Sequence, residues 1–394
     1  MHSAPGCGGR SDRAAAARGK TSPSASGSGV GVRGAAAGPR LDVIRDDVRA
    51  MRAYPVPDAT GLIKLDAMEN PFMLPVDLAR ELGLRLSEVA LNRYPPADPA
   101  RFKRALAEVV GLAAPQVLML GNGSDELIHL MIQACARQEP AGPAVVLMPT
   151  PGFAMVEISA RLDGCRFVGV PLKPDFELDL PAMLAALEQH RPALVFIAYP
   201  NNPTGNRFSR GDLEAVLDRA PGLVVIDEAY VPFAQDSWLP QLAARPRLIV
   251  LRTLSKLGLA GLRLGYACGD PAWIEQFEKV RPPYNVGVLT LAAAGFLLPH
   301  FAVLEAQAEA IRAERGRVLA AMRKMSALQV YPSAANFLLF RVADADRLFA
   351  GLRGRGILVK NLSSSHRLLT GCLRVTIGTS QENDAFLQAL GELL

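Results

Sequence analysis

Leu194-Val195-Phe196-Ile197-Ala198, followed by Tyr199-Pro200-Asn201-Asn202-Pro203-Thr204-Gly205, sets an unbroken apolar run against a polar, turn-forming loop. Five consecutive apolar residues suit a strand covered on both faces, as a parallel sheet between helices requires. Ala144 to Met148, Leu223 to Ile226 and Leu248 to Leu251 repeat the pattern. Amphipathic segments such as Asp212 to Arg219 separate these runs, and the alternation predicts an α/β fold with a mostly parallel sheet. In such sheets ligands bind where strands run out into loops at their carboxyl ends. The polar motifs of this chain fall at those ends.

Asn202 lies in one such loop, and Asp227-Glu228-Ala229-Tyr230 ends the run that starts at Leu223. A carboxylate that deep needs a cationic partner. Thr253-Leu254-Ser255-Lys256 closes the next run, and Ala260-Gly261-Leu262-Arg263 follows it. A lysine among apolar residues, with an arginine seven positions on, has the lowered amine pKa that imine formation with an aldehyde needs. Gly121-Asn122-Gly123-Ser124-Asp125-Glu126 opens an amphipathic helix. Taken alone it is an ordinary Ser-capped start, but helix N-termini also present unpaired N–H groups suited to a phosphate dianion.

Beyond Pro282-Pro283 the character changes. A helical pattern from Phe301 to Met325 precedes short strands at Asn336 to Val342, Leu358 to Lys360 and Leu373 to Ile377. The last helix is predicted to start at Thr379 or Ser380, with Glu382 completing a capping box. We expect a large domain over 75–284 and a smaller α+β domain made of 41–74 and 285–394.

The net charge of +5 raises the possibility of a nucleic-acid partner, but Arg10, Arg13, Arg18, Lys20, Arg33 and Arg40 against Asp12 alone supply all of it within residues 1–40. That Ala/Gly/Ser-rich extension has almost no large apolar side chains and is predicted to be disordered; its resemblance to a transit peptide is faint. The run around Val286 to Leu298 ends at Pro299, short of a bilayer's thickness. Five scattered cysteines without a Cys/His cluster predict neither disulfides nor a metal site, and they suit a reducing cytoplasm. No nucleic-acid or membrane partner is expected.

The ordered set of NPTG, DEAY, TLSK and GLR, spread over most of the chain after residue 40, resembles the fold-type I pyridoxal-phosphate aminotransferases. Leu91-Asn92-Arg93-Tyr94-Pro95, Pro332-Ser333-Ala334-Ala335-Asn336-Phe337 and Gly371-Cys372-Leu373-Arg374-Val375-Thr376 resemble the histidinol-phosphate aminotransferase branch. The resemblance implies a mostly parallel seven-stranded sheet sandwiched by helices, with a smaller α+β domain. It implies that Lys256 holds the cofactor and moves the proton, that Asp227 faces the ring nitrogen, and that Asn202 and Tyr230 face the ring hydroxyl.

Thr253, Ser255, Arg263 and the backbone amides at Ser124 and Asp125 are implied to bind the cofactor phosphate, with Tyr94 reaching it from a neighbouring subunit, so a homodimer is expected. Phe153 takes the ring-stacking position where many relatives have tyrosine. Arg374 would fork onto the substrate's anionic group, and Asn336 and Tyr54 would touch substrate. Lys360 stands where several relatives place a second arginine, which puts its role in doubt.

The implied reaction joins L-histidinol phosphate and 2-oxoglutarate to give imidazole acetol phosphate and L-glutamate in histidine biosynthesis. A threonine-phosphate decarboxylase-like lyase and an aminotransferase for aromatic or other amino acids share these motifs. A regulator built on the same fold would need a DNA-binding module, for which residues 1–40 leave no room, and a non-enzymatic binder would have no need of Lys256, Asp227 and Tyr230 together.

Overall fold

The apolar runs form strands of one sheet, and their alternate residues serve two separate cores. Val195, Ile197, Val224, Ile226, Leu248 and Val250 join one apolar cluster, while Leu194, Phe196, Leu223, Val225, Ile249 and Leu251 join another. Successive side chains of a strand point to opposite faces, so a strand with a core on each side has to be apolar throughout.

The computed structural model describes residues 41–51, 56–136 and 142–394. The expectations for residues 1–40 and for Tyr54 fall outside the described residues. Met1–Pro55 and Val56–Leu394 are separate units. The described part of the first carries a short helix, Asp46–Ala50.

In the second unit the strands in chain order are β1 (Ile63–Lys64), β2 (Val117–Gly121), β3 (Val145–Thr150), β4 (Arg166–Pro171), β5 (Leu194–Ala198), β6 (Leu223–Asp227), β7 (Leu248–Thr253) and β8 (Gly265–Gly269). They are followed by β9 (Gln329–Val330), β10 (Phe337–Arg341), β11 (Ile357–Leu358), β12 (Lys360–Asn361) and β13 (Cys372–Thr376). The large sheet has seven strands in the order β2-β8-β7-β6-β5-β3-β4, and β8 alone runs antiparallel to its neighbours. Strand order reverses between β5 and β3, and such reversals open a crevice at the strands' carboxyl ends.

The second sheet is antiparallel, in the order β12-β13-β10-β9. The single strand predicted over Leu358 to Lys360 is in fact two. Leu358 pairs with Lys64 of β1, Lys360 pairs with Arg374 of β13, and buried Val359 between them is where the chain changes sheets. Two partners lying in different directions cannot be served by one straight strand. The β1 segment is tied further by Thr376 N donating to Leu65 O at 2.8 Å.

Local capping follows side-chain chemistry. Ser209 accepts from Asp212 N to start the helix Arg210–Arg219, and Thr379 with Glu382 forms the expected capping box at Ser380–Leu393. The helical run from Val288 to Met322 is long and apolar enough, by length and composition alone, to cross a membrane, which the sequence reading did not anticipate. It breaks at a short 3₁₀ turn around Pro299, and Leu304, Ala308, Ile311, Val318 and Met322 are buried in the main core. Arg312 and Arg315 on the same helix donate to Pro232 O and Ala335 O, each at 2.7 Å. These contacts anchor the Phe301–Met322 half of the run in the core.

Candidate active site

At the carboxyl ends of β5, β6 and β7 lies a cavity of about 400 Å³. Strand ends and the loops after them bring Asn202, Asp227, Tyr230, Thr253, Ser255 and Lys256 to its wall. Ser124 and Asp125 enter from the start of the helix Gly123–Cys135, Phe153 from the turn after β3, and Arg263 from the turn before β8. Ten of the residues singled out from the sequence thus share one wall. A larger cavity of about 620 Å³, lined by Gln235, Glu305 and Arg312 among others, shares only Thr253 with those ten.

Lys256 sits in an irregular turn, Ser255–Leu259, and its Nζ donates to Ala67 O at 3.2 Å. Burial first, and then the charge of Arg374, pulls its amine down from an ordinary value of 10.5 to about 8. The opposite shift occurs at Asp227, where burial outweighs a hydrogen bond from Ala229 N and, with the charges of Asp125 and Glu228, lifts the carboxyl from 3.8 to about 7. A buried acid and a buried amine displaced toward each other are fitted to chemistry near neutral pH. Capture of an aldehyde by the cofactor-free protein should therefore accelerate with pH only as far as about 8, whereas an ordinary lysine would keep accelerating toward 10.5. Imine absorbance followed over a pH series measures this, and continued acceleration beyond 9 by roughly tenfold per unit would contradict it.

At one end of the cavity the helix start and an arginine come close together. Gly123 has φ of +79°, and a Cβ there would stand 2.8 Å from Arg263 Nη2. A Cβ on Gly265 would meet the Gly123 carbonyl carbon at 2.6 Å. Only glycines let the helix start and the arginine come so close. Thr253 Oγ1 lies 2.9 Å from Ser255 Oγ, which accepts from Arg263 Nη1 at 3.4 Å, so hydroxyls, a guanidinium and a helix N-terminus converge.

Arg374, buried on β13, donates from Nη1 to Asn202 Oδ1 at 2.6 Å and from Nη2 to Asp66 O at 3.0 Å. Its guanidinium lies over the Phe337 ring at 5.2 Å, and that ring meets Tyr230 edge-on at 5.3 Å. Arg374 therefore links the second sheet to the asparagine at the cavity wall. Lys360 is its half-buried cross-strand neighbour, and neither Arg374 nor Lys360 lines the cavity itself.

Asn336 is fully buried behind the wall and donates to Met68 O at 2.9 Å. Tyr94 stands 82% exposed, outside this cavity, and stacks on Tyr284 with centroids 4.9 Å apart.

The segment Ala67-Met68-Glu69 also lines the cavity, and sequence reasoning missed it. Met68 has φ of +54°, a conformation that residues bearing a Cβ rarely adopt. Hydrogen bonds from Asn336 to its carbonyl and from its N–H to Thr376 Oγ1 at 2.9 Å hold it there. No periodicity marks so short a piece; the only sequence signal is an acidic residue beside Asn70-Pro71.

A lysine and a carboxyl whose pKa values burial displaces toward neutrality, an aromatic wall, and a cluster of hydroxyls, guanidinium and helix N-terminus fit an aldehyde-bearing, phosphate-tethered aromatic cofactor. They define a pyridoxal-phosphate enzyme on an α/β sheet. The family model for aminotransferase class I and II matches residues 60–390. Histidinol-phosphate aminotransferase 2 of Cupriavidus pinatubonensis is 55% identical over 357 residues, covering 89% of this chain and 96% of that one. The solved histidinol-phosphate aminotransferase from Sinorhizobium meliloti, in complex with pyridoxal-5'-phosphate, superposes with a TM-score of 0.74 at 26% identity, covering 84% and 90% of the two chains. L-threonine-O-3-phosphate decarboxylase from Porphyromonas gingivalis gives 0.70 at 21% identity, covering 84% and 98%, a likeness of fold alone. The chain belongs to the class I and II aminotransferase family and is a pyridoxal-phosphate-dependent transaminase.

Proposed function

We propose that the chain transfers the amino group of L-histidinol phosphate to 2-oxoglutarate, forming imidazole acetol phosphate and L-glutamate in cytoplasmic histidine biosynthesis. The observation that carries this reading is the 55% identity, nearly end to end, with an enzyme named for that donor. Arg374, tied to the cavity wall through Asn202, supplies a cation in keeping with substrates that bear a phosphate or a carboxylate.

When bound, pyridoxal phosphate supplies an aldehyde for the amine and a ring that accepts electrons. The residues do the rest. The Lys256 amine, near 8, is neutral often enough to take the proton from the substrate carbon that bears nitrogen and return it. Asp227 would keep the ring nitrogen protonated. Asn202, steadied by Arg374, and Tyr230 would hydrogen-bond the ring hydroxyl, while Phe153 would supply an aromatic face. The backbone amides of Ser124 and Asp125, the hydroxyls of Thr253 and Ser255 and the guanidinium of Arg263 would take the cofactor phosphate.

Arg374 is read as the fork on the substrate anion. Arg374→Lys keeps the charge and loses the fork, so kcat/KM for both substrates should fall by about a hundredfold, chiefly through KM. Steady-state kinetics reads the split, and a fall confined to kcat would oppose the assignment.

The open apolar groove of about 810 Å³ between the segments 96–109 and 288–299, with Leu91 and Tyr94 exposed, supports a homodimer in which Tyr94 reaches the partner's cofactor phosphate. Formation of L-glutamate from 2-oxoglutarate across a panel of amino donors tests the reaction. L-Histidinol phosphate should give the highest kcat/KM, and a clear preference for an aromatic or dicarboxylic donor would replace the reading.

A further inference from the structure

Glu126 takes no part in the chemistry above, yet it stands one turn from the anion cup, where a carboxylate would repel a phosphate. Its oxygens are turned elsewhere. Oε2 accepts from Asn122 N at 2.6 Å and from Asn285 Nδ2 at 2.8 Å, while Oε1 accepts from Asn122 Nδ2 at 3.3 Å. Asn122 stands at the helix's N-cap position but makes no side-chain cap; its amide instead donates to Asn285 O at 2.8 Å. Asn285 is held in turn by Arg281 Nη1 at 2.8 Å, and it follows Tyr284, the ring stacked on Tyr94. One carboxylate thus gathers three donors around the turn Gly121–Gly123, where a Cβ on Gly121 would lie 2.7 Å from Leu127 and 3.1 Å from Glu126.

We infer that Glu126 is a positioning residue for the phosphate cup. By accepting the Asn122 N–H it fixes the turn before the helix, and by accepting from Asn285 it fastens that turn to the segment carrying Tyr284. The first N–H groups of the helix have no intrahelical acceptor and remain for the anion. The inference rests on the proposed placement of the cofactor phosphate at this helix start. Glu126 itself touches neither cofactor nor substrate.

The test compares pyridoxal phosphate with pyridoxal, which lacks the phosphate, by absorbance titration of the cofactor-free protein. Glu126→Ala should weaken pyridoxal phosphate by about thirtyfold, the scale of a lost charged hydrogen bond, and pyridoxal by less than about twofold. Glu126→Gln retains an oxygen for Asn122 N and should recover affinity to within about threefold of wild type. Asn285→Ala breaks the fastening and leaves Glu126 on Asn122; it should show the same selectivity, more weakly, and serves if Glu126→Ala does not fold. Equal losses for both ligands would mark a contact that merely supports the fold, and no loss for either would leave Glu126 without a role at the cup; both overturn the inference. If wild-type protein binds pyridoxal phosphate no better than pyridoxal, the cofactor placement itself fails.

Discussion

Lys256→Ala is expected to lower turnover by at least about ten-thousandfold, the full worth of a positioned proton carrier, with the fold retained. The half-buried side chain ends beside Ala67 O, so truncation removes one hydrogen bond and an amine whose charged form desolvation already disfavours. The loss should be catalytic rather than structural. The imine absorbance of the wild-type protein should vanish, while thermal unfolding of the cofactor-free variant stays at or above the wild-type midpoint. Small primary amines fit the space vacated and should recover activity detectably. A variant that kept wild-type turnover would remove Lys256 from the chemistry.

Asp227→Asn is the second large effect, expected to cost about a thousandfold in kcat, because an amide cannot hold a ring nitrogen in its protonated form. Its consequence for stability has the opposite sign. Folded Asp227 holds its proton up to about 7 against 3.8 when unfolded, so its contribution is fully present below 3.8 and is lost as pH rises through 7. Lys256 acts in another window: its folded pKa of about 8 lies below 10.5, so stability recovers as pH rises between the two. At pH 8 the cofactor-free Asp227→Asn protein, spared a buried charge, should be more stable than wild type by a few kcal/mol, and at pH 4 the gap should close. Chemical denaturation at the two pH values measures this; equal stabilities at pH 8 would mean that the carboxylate has a partner in the free protein.

Strands were legible because burial on both faces leaves no polar position, and β5 and β6 show this in their unbroken apolar runs. Asn202, Asp227 and Lys256 stood out because each follows or ends such a run, whereas Ser124 and Asp125 open a helix and Arg374 lies within a strand. The departure came where tertiary pairing overrode local pattern, at Val359, where one apolar stretch serves two sheets. Nothing in the sequence announced Ala67 or Met68, since a backbone carbonyl that meets a lysine 189 positions away leaves no trace in side-chain identity. Glu126 was visible only as part of a helix start, for its partner Asn285 lies 159 positions on. Asn336 was legible as a motif, but its bond to Met68 O lies behind the cavity wall and required the fold.

A single half-reaction tests the central claim most directly. Purified protein loaded with pyridoxal phosphate is mixed with L-histidinol phosphate in the absence of any 2-oxo acid, and absorbance and products are followed together. One equivalent of imidazole acetol phosphate per site should form as the imine absorbance disappears, and 2-oxoglutarate should then restore that absorbance with release of L-glutamate. An unchanged spectrum with L-histidinol phosphate, together with carbon dioxide released from a phosphorylated amino acid, would contradict the account.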